Sequence, residues 1–240
     1  MRKNRTIPKS EKTFLDKYNP KEYEKPSVTS DMLLFSMIHK KLHILLIQRG
    51  GHPYKDYWAM PGGFVNMNES TEEAAYRELK EETGIEDVYL EQLATFSESH
   101  RDPRMRVISV AYIALVKSEH LTVIAGDDAI EARWFEVNTL LKRLETEDVL
   151  AFDHEEILKL AMKRLRGKAF YTNVLFQLLP QEFTIRELRV VFEEVLNKKL
   201  HAPNFRREMM SRLVPTGRME KSRHRPAELY RVNEDYFDEE

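Results

Sequence analysis

The chain has 240 residues, 42% apolar and 32% charged, which is enough to build packed cores and excludes wholesale disorder. Thirty-eight Lys and Arg face 40 Asp and Glu, so a uniformly basic nucleic-acid coat is excluded while a local basic patch is not. Cysteine is absent, which rules out disulfides, thiolate nucleophiles and thiolate metal sites.

Met1 to Pro26 is basic and polar, with three prolines. It lacks the apolar stretch of a signal peptide and reads as an extended arm. No uncharged apolar run approaches the ~18–20 residues of a membrane span, so a soluble, cytoplasmic protein with no membrane partner is expected. The eight glycines never fall into GxGxxG or GxxxxGK[ST], which excludes a dinucleotide fingerprint and a P-loop.

From Val28 the texture changes. Met32–Ile38 and Leu42–Ile47 read as strands across a Lys40-Lys41 turn. Gly50 to Tyr57 is a polar loop, and Trp58 to Val65 leads into a further turn. Ser70 to Thr83 reads as a helix, with a Ser70/Glu73 capping box and Gly84 just past its end. Val88–Phe96, Arg106–Val116 and Glu131–Phe135 read as strands. Asp153 with Glu156 predicts another capping box, opening a helix to about Arg166.

Beyond Gly167 the order is a short helix over Phe170–Leu179 stopped by Pro180, and then a helix capped by Thr184 and Glu187. A further helix over Pro203–Arg212 follows, and then a hairpin of Leu213–Met219 with Ala227–Val232. Helix, helix, helix, hairpin is the order of a winged helix-turn-helix. Residues 186–231 hold twelve Lys or Arg against six acids, net +6, which leaves −8 for the remainder of a chain of net charge −2. An acidic front and a basic back suggest two jobs.

Rotating 100° per residue along the first capped helix from Arg77 puts Glu81 near ~40°, Glu78 near ~100° and Glu82 near ~140°. The apolar positions lie on a separate arc. Like charges three and four apart cost an isolated helix ~0.2–0.5 kcal/mol per pair, a cost that a hard, oxygen-liganded divalent cation such as Mg²⁺ or Mn²⁺ would reverse. Taken alone, such a cluster is also what a solvated acidic face looks like. Its surroundings are more specific. Gly63, five residues, Glu69, seven residues, then Arg77-Glu78-Leu79-x-Glu81-Glu82-x-Gly84-Ile85 is a complete match to the Nudix hydrolase signature. Chance would give it on the order of 10⁻⁹ per start position.

The chain therefore resembles the Nudix superfamily over roughly 28–166. The resemblance implies an α/β class: a Nudix α/β/α sandwich (27–167) after the arm (1–26). Glu78, Glu81 and Glu82, with the backbone at Gly63, would hold Mg²⁺ or Mn²⁺ against a diphosphate. Glu69 would assist, and Arg77 would aim a glutamate. Water would attack phosphorus in a nucleoside diphosphate linked to another moiety. Glu131 is the candidate general base outside the box; its alternative is a surface carboxylate paired with Arg133. Trp58 and Tyr57 could stack on a base or belong to the core. Arg49, Arg101, Arg104 and Arg106 could reach phosphate or ribose. The run Arg101-Asp102-Pro103-Arg104-x-Arg106-Val107-Ile108-Ser109-Val110-Ala111 is similar to the segment after the box in ADP-ribose-type Nudix proteins.

Phe183-Thr184-x-x-Glu187-Leu188, Asn204-Phe205-Arg206-Arg207 and Arg225-Pro226-Ala227-x-Leu229-Tyr230 resemble the C-terminal winged helix of Nudix-related transcriptional regulators. That implies a winged helix domain over 168–235, before an acidic tail (236–240), bound to double-stranded DNA as a homodimer. Asn204, Arg206 and Arg207 would approach base edges, with Phe205 as core anchor. Lys221, Arg223 and Arg225 would touch phosphate. Many such regulators carry a degraded box, whereas here every position is intact. Two readings stand: a hydrolase of ADP-ribose, and a repressor that senses ADP-ribose or a sugar nucleotide with little hydrolysis. A third makes the C-terminal part a dimerisation module without DNA.

Overall fold

The computed structural model describes residues 8–84, 88–117, 129–220 and 226–238. The expected extended arm is in part helical: α1 (Lys9–Lys17) is followed by a 3-10 turn over Pro20–Glu22, and neither buries a residue. This helix has no core-facing stripe, the signal by which a helix is read from sequence; Phe14, Leu15 and Tyr18 stay exposed.

The strands are β1 (Ser27–Ile38), β2 (Lys41–Arg49), β3 (Trp58–Ala59), β4 (Gly62–Phe64), β5 (Tyr89–Phe96), β6 (Val107–Val116) and β7 (Ala129–Glu136). They form one sheet with the path β3-β2-β1-β6-β5, β4 adding to β1 and β7 to β2. The central pair β1 and β6 runs parallel from Ser27↔Val107 to Ser36↔Val116, and the other pairings are antiparallel.

The sheet's two faces follow the period of two along each strand. Met32, Leu34, Leu45, Val110, Tyr112 and Ala114 pack with Ala75 and Leu79 of α2 (Thr71–Thr83). Leu33, Phe35, Ile44, Leu46, Ile113 and Leu115 face the other way. There they meet Val137 and Leu140 of α3 (Val137–Arg143) and Ile157, Ala161 and Leu165 of α4 (His154–Lys168). Covering helices on both faces make the α/β/α sandwich.

Helix α4 begins where expected but without the predicted capping box: Asp153 makes no side-chain cap, because Arg101 claims its carboxylate. The helix runs on through Gly167 to Lys168. The predicted helix over Phe170–Leu179 is a 3-10 segment, Val174–Leu178. The winged helix then comprises β8 (Phe183–Thr184), α5 (Ile185–Leu196), α6 (Ala202–Met209), a 3-10 turn over Met210–Arg212, β9 (Leu213–Met219) and β10 (Glu228–Val232), and α7 (Asp235–Asp238) follows it. The expected hairpin gains a third strand, in the order β8-β10-β9. One apolar core continues from the sheet through α4 into Phe176, Leu188, Val191, Phe192, Phe205 and Tyr230. Among the described residues no helix is long and apolar enough to cross a membrane.

Candidate active site and nucleic-acid interface

Helix α2 starts with a complete capping box, Ser70 taking the Glu73 amide and Glu73 the Ser70 amide, and ends on Gly84 in the left-handed region (φ 71°). Its first turn is tied to the sheet: Ser30 Oγ donates to the Thr71 carbonyl at 2.8 Å and Thr71 Oγ1 lies 2.7 Å from the Tyr112 hydroxyl. The helix therefore enters the site at a fixed height and rotation.

Arg77 is the hub. Its Nε and Nη2 reach Glu69 at 3.1 and 2.8 Å, Nη1 reaches Glu78 at 2.7 Å and Glu81 at 3.2 Å, and Nη2 also donates to the Phe64 carbonyl at 3.1 Å. Hydrogen bonds from Arg77, then the Asn66 amide, depress the Glu69 carboxyl to about 2. Glu69 in turn leads the contacts that raise Arg77 above its ordinary value. Burial pushes the Glu78 carboxyl up, against the pull of Arg77. Glu78 thus places its carboxyl in a desolvated position, where a bound cation would favour the ionised form.

The turn opposite is built to meet it. Gly62 (φ 150°) has no room for a side chain, since a Cβ would sit 2.3 Å from the Ser30 carbonyl oxygen, and one on Gly63 would sit 2.0 Å from Glu78 Oε1. Glu81 is exposed. The backbone at Glu82 is helical, while its side chain and Ile85 lie outside the described residues. Among the described residues no three carboxylates or imidazoles converge on one point. The donors that α2 and Gly63 provide are all oxygen, the chemistry that suits a hard divalent cation.

The arginines proposed for substrate each have partners within the protein. Arg101 is the deepest, its side chain 4% exposed and held by Asp153 at 2.6 Å, with Asp31 at 3.6 Å. Through Asp31, which pairs with Gly62 in the sheet, it is linked to the turn. Arg104 makes a forked pair with Asp102, and Arg106 donates to the Glu98 carbonyl. Arg49 donates to the Pro53 carbonyl and sits 4.9 Å from the Phe152 ring centre, which Arg104 approaches at 6.0 Å. Trp58 is half-buried, edge-on to Phe135 at 4.7 Å, and Tyr57 lies on Tyr54. Glu131 takes both Nε and Nη2 of Arg133 at 3.1 and 2.7 Å; the surface ion pair is what the structure forms.

Sequence reasoning missed Asp31, Asp153, His154 and Phe152. Asp31 and Asp153 enclose Arg101, His154 Nδ1 accepts the Met60 amide at 2.9 Å, and Phe152 adopts the left-handed region (φ 55°). No short-range pattern marks them as residues of the site.

In the winged helix, Thr184 and Glu187 form the expected capping box. Phe205 is buried on Phe192 at 5.2 Å, as an anchor. Asn204 and Arg207 are exposed, whereas Arg206 donates to the Tyr230 hydroxyl at 3.1 Å. Lys221, Arg223 and Arg225 lie outside the described residues.

Comparison with known proteins agrees with this geometry. The NUDIX domain family matches residues 29–160, and the NrtR DNA-binding winged helix domain matches residues 175–232. The ADPR responsive transcriptional repressor NtrR of Acinetobacter baylyi is 39% identical over 92% of this chain and 88% of its own. The ADP-ribose pyrophosphatase of Methanocaldococcus jannaschii is 43% identical over 60% of this chain and 78% of its own. The crystal structure of Shewanella oneidensis NrtR with a 27mer DNA superposes with a TM-score of 0.75 at 33% identity, covering 88% of this chain and 95% of that one. With an intact box, a sandwich around it and a winged helix sharing its core, the chain belongs to the Nudix family, in the branch that carries an NrtR-type winged helix.

Proposed function

We propose that the protein is a Mg²⁺- or Mn²⁺-dependent Nudix pyrophosphohydrolase of ADP-ribose whose winged helix binds double-stranded DNA as a cytoplasmic homodimer. The observation that carries the hydrolase reading is the unbroken box folded around Arg77, with Glu78 set against Gly63. Glu78, Glu81, Glu82 and the Gly63 carbonyl would hold the cation. When bound, it supplies charge for the diphosphate oxygens and a more acidic water.

The chain's own residues do the rest. Glu69 and the Phe64 carbonyl fix Arg77, and Arg77 fixes Glu78. Glu131 is the proposed base, taking the proton of the attacking water once it leaves Arg133. Arg49, Arg104 and Arg106 would meet phosphate and ribose, and Trp58 would offer a ring to the base. Arg101, a further phosphate candidate by sequence, acts instead through Asp153 and Asp31. Asn204, Arg206 and Arg207 face bases, and Lys221, Arg223 and Arg225 face phosphate.

The second reading, a repressor sensing ADP-ribose with little turnover, is favoured by the match across nearly the whole length of an ADPR responsive repressor. One site can bind and cleave slowly, so the readings are compatible. A metal-supplemented screen of nucleotide sugars and dinucleotides, following phosphate products and binding together, tests both. Binding without products supports the sensor, products support the hydrolase, and neither overturns the assignment.

A further inference from the structure

The N-terminal end of α4 is stitched to the strand that leads into the Gly62–Gly63 turn. The Trp58 amide donates to the Val149 carbonyl at 3.0 Å and the Ala151 amide to the Trp58 carbonyl at 2.8 Å. Two residues on, the Met60 amide donates to His154 Nδ1 at 2.9 Å. His154 is the first residue of α4 and is 4% exposed. Beside it, Asp153 takes both Nε and Nη2 of Arg101, and Arg101 in turn reaches Asp31, which receives the Ser109 hydroxyl. Asp31 pairs with Gly62 in the sheet. The turn that faces Glu78 is therefore held through its neighbours by the start of one helix.

The other end of that helix touches the DNA reader. Arg166 Nε donates to the Val195 carbonyl of α5 at 2.9 Å. Two residues earlier in α5, Glu193 accepts the Leu200 amide at 3.0 Å, just before α6 begins at Ala202. Between its ends α4 buries Ile157, Leu158, Ala161, Met162 and Leu165. A packed helix spans roughly 1.5 Å per residue and moves as a rod. Its entry is a strained joint: Phe152, a bulky residue, is held at φ 55°, a conformation that persists only where surrounding contacts enforce it.

We infer that His154 is a positioning residue that couples the two ends of the molecule. Ligand drawn against the Gly63 turn moves Met60, the Met60–His154 bond moves the start of α4, and Arg166 delivers that motion to α5 and α6. The inference rests on the proposed ADP-ribose-responsive DNA binding. It adds the route, which a purely structural histidine would not supply.

The test uses full-length protein with Ca²⁺ and a duplex selected by the wild type from a random pool. DNA affinity is measured with and without saturating ADP-ribose, and ADP-ribose affinity is measured independently for each variant. His154→Leu should bind DNA within about twofold of wild type in the absence of ligand, while the factor by which ADP-ribose changes DNA affinity, roughly five- to 150-fold for a typical coupled pair, falls close to one. His154→Asn, which keeps an acceptor in place of Nδ1, should retain the factor. Arg166→Ala should lose it from the other end of the rod, and still serves if His154→Leu does not fold. The double variant should lose no more than either alone. A wild-type factor retained in folded, ligand-saturated His154→Leu, or in Arg166→Ala, overturns the route. A wild-type factor of one overturns the responsive reading itself, and the route with it.

Discussion

The carboxylate of Glu78 occupies the space in which a side chain on residue 63 would have to begin, with Oε1 2.0 Å from where that Cβ would stand. The glycine and the glutamate are thus one feature, formed by two segments fifteen positions apart. Gly63→Ala should fold, yet push the carboxylate off its place and lower affinity for Mn²⁺ by about 10–100-fold, the usual cost of disturbing a ligand's support. Calorimetric titration of Mn²⁺ checks this, and wild-type affinity would dissociate the glycine from the metal site.

Glu82→Gln removes one charge from the oxygen set of α2 while leaving the capping box and the apolar stripe of the helix in place. The variant should keep the wild-type circular dichroism spectrum and lose Mg²⁺-dependent hydrolysis of ADP-ribose. Wild-type turnover by the folded variant would sink the metal assignment.

Glu69 offers a pH signature. Arg77 and the Asn66 amide hold its carboxyl at about 2, below the ordinary 4.5. The folded state therefore takes up this proton less readily than the unfolded chain. Its contribution to stability is complete above about 4.5, shrinks as pH falls, and is gone below about 2. Denaturation of wild type and Glu69→Gln should differ by a constant amount from neutrality to about pH 5, and the curves should converge below it. A difference that stays constant to pH 2 would mean that Arg77 is not its partner in solution.

What could be read from sequence was whatever repeats within a turn or two of helix. The Ser70 and Thr184 caps depend on a spacing of three, and the placing of Glu78 and Glu81 beside Arg77 depends on the turn of one helix, while Phe205 as an anchor came with the winged-helix resemblance. The Arg101 network was illegible because Asp153 lies 52 positions from Arg101 and Ser109 lies 78 from Asp31. Asp153 even carries the local pattern of a capping box, and a buried arginine outbids the helix amides for it. The helix α1 escaped for the opposite reason: it has local propensity but no packed face to give its apolar residues a period.

The arginines of α6 should divide by role. Arg207 is exposed, so Arg207→Ala should weaken a preferred duplex by ~1–3 kcal/mol and relax base preference if it reads a base edge. Arg206 is tied to Tyr230, whose hydroxyl also donates to Glu228, so Arg206→Ala should also loosen the β10 side of the winged helix and lower the melting temperature. Arg225→Ala, at a phosphate position, should weaken all sequences alike and reduce the salt slope by about one. Anisotropy titrations on matched and scrambled duplexes at several salt concentrations separate these cases, and no binding at low salt would end the DNA reading.

Thr184 caps α5 from a buried position, accepting the Glu187 amide at 3.2 Å and donating to the Glu187 carboxylate at 2.9 Å. Thr184→Ala should cost ~0.5–2 kcal/mol in chemical denaturation. Thr184→Ser should recover most of it, and equal losses for both would assign the cost to the methyl group.

Because Leu33 and Phe35 of the sheet, Leu165 of α4 and Phe192 of the winged helix belong to one buried cluster, amides of β1 and α5 that exchange only on global opening should share one opening equilibrium. Slow exchange that requires global opening is slowed by whatever stabilises the folded chain. A nucleotide bound beside Gly63 should therefore lengthen the lifetime of deuterium-exchanging amides in α5 by the same factor as those in β1, although it touches none of them.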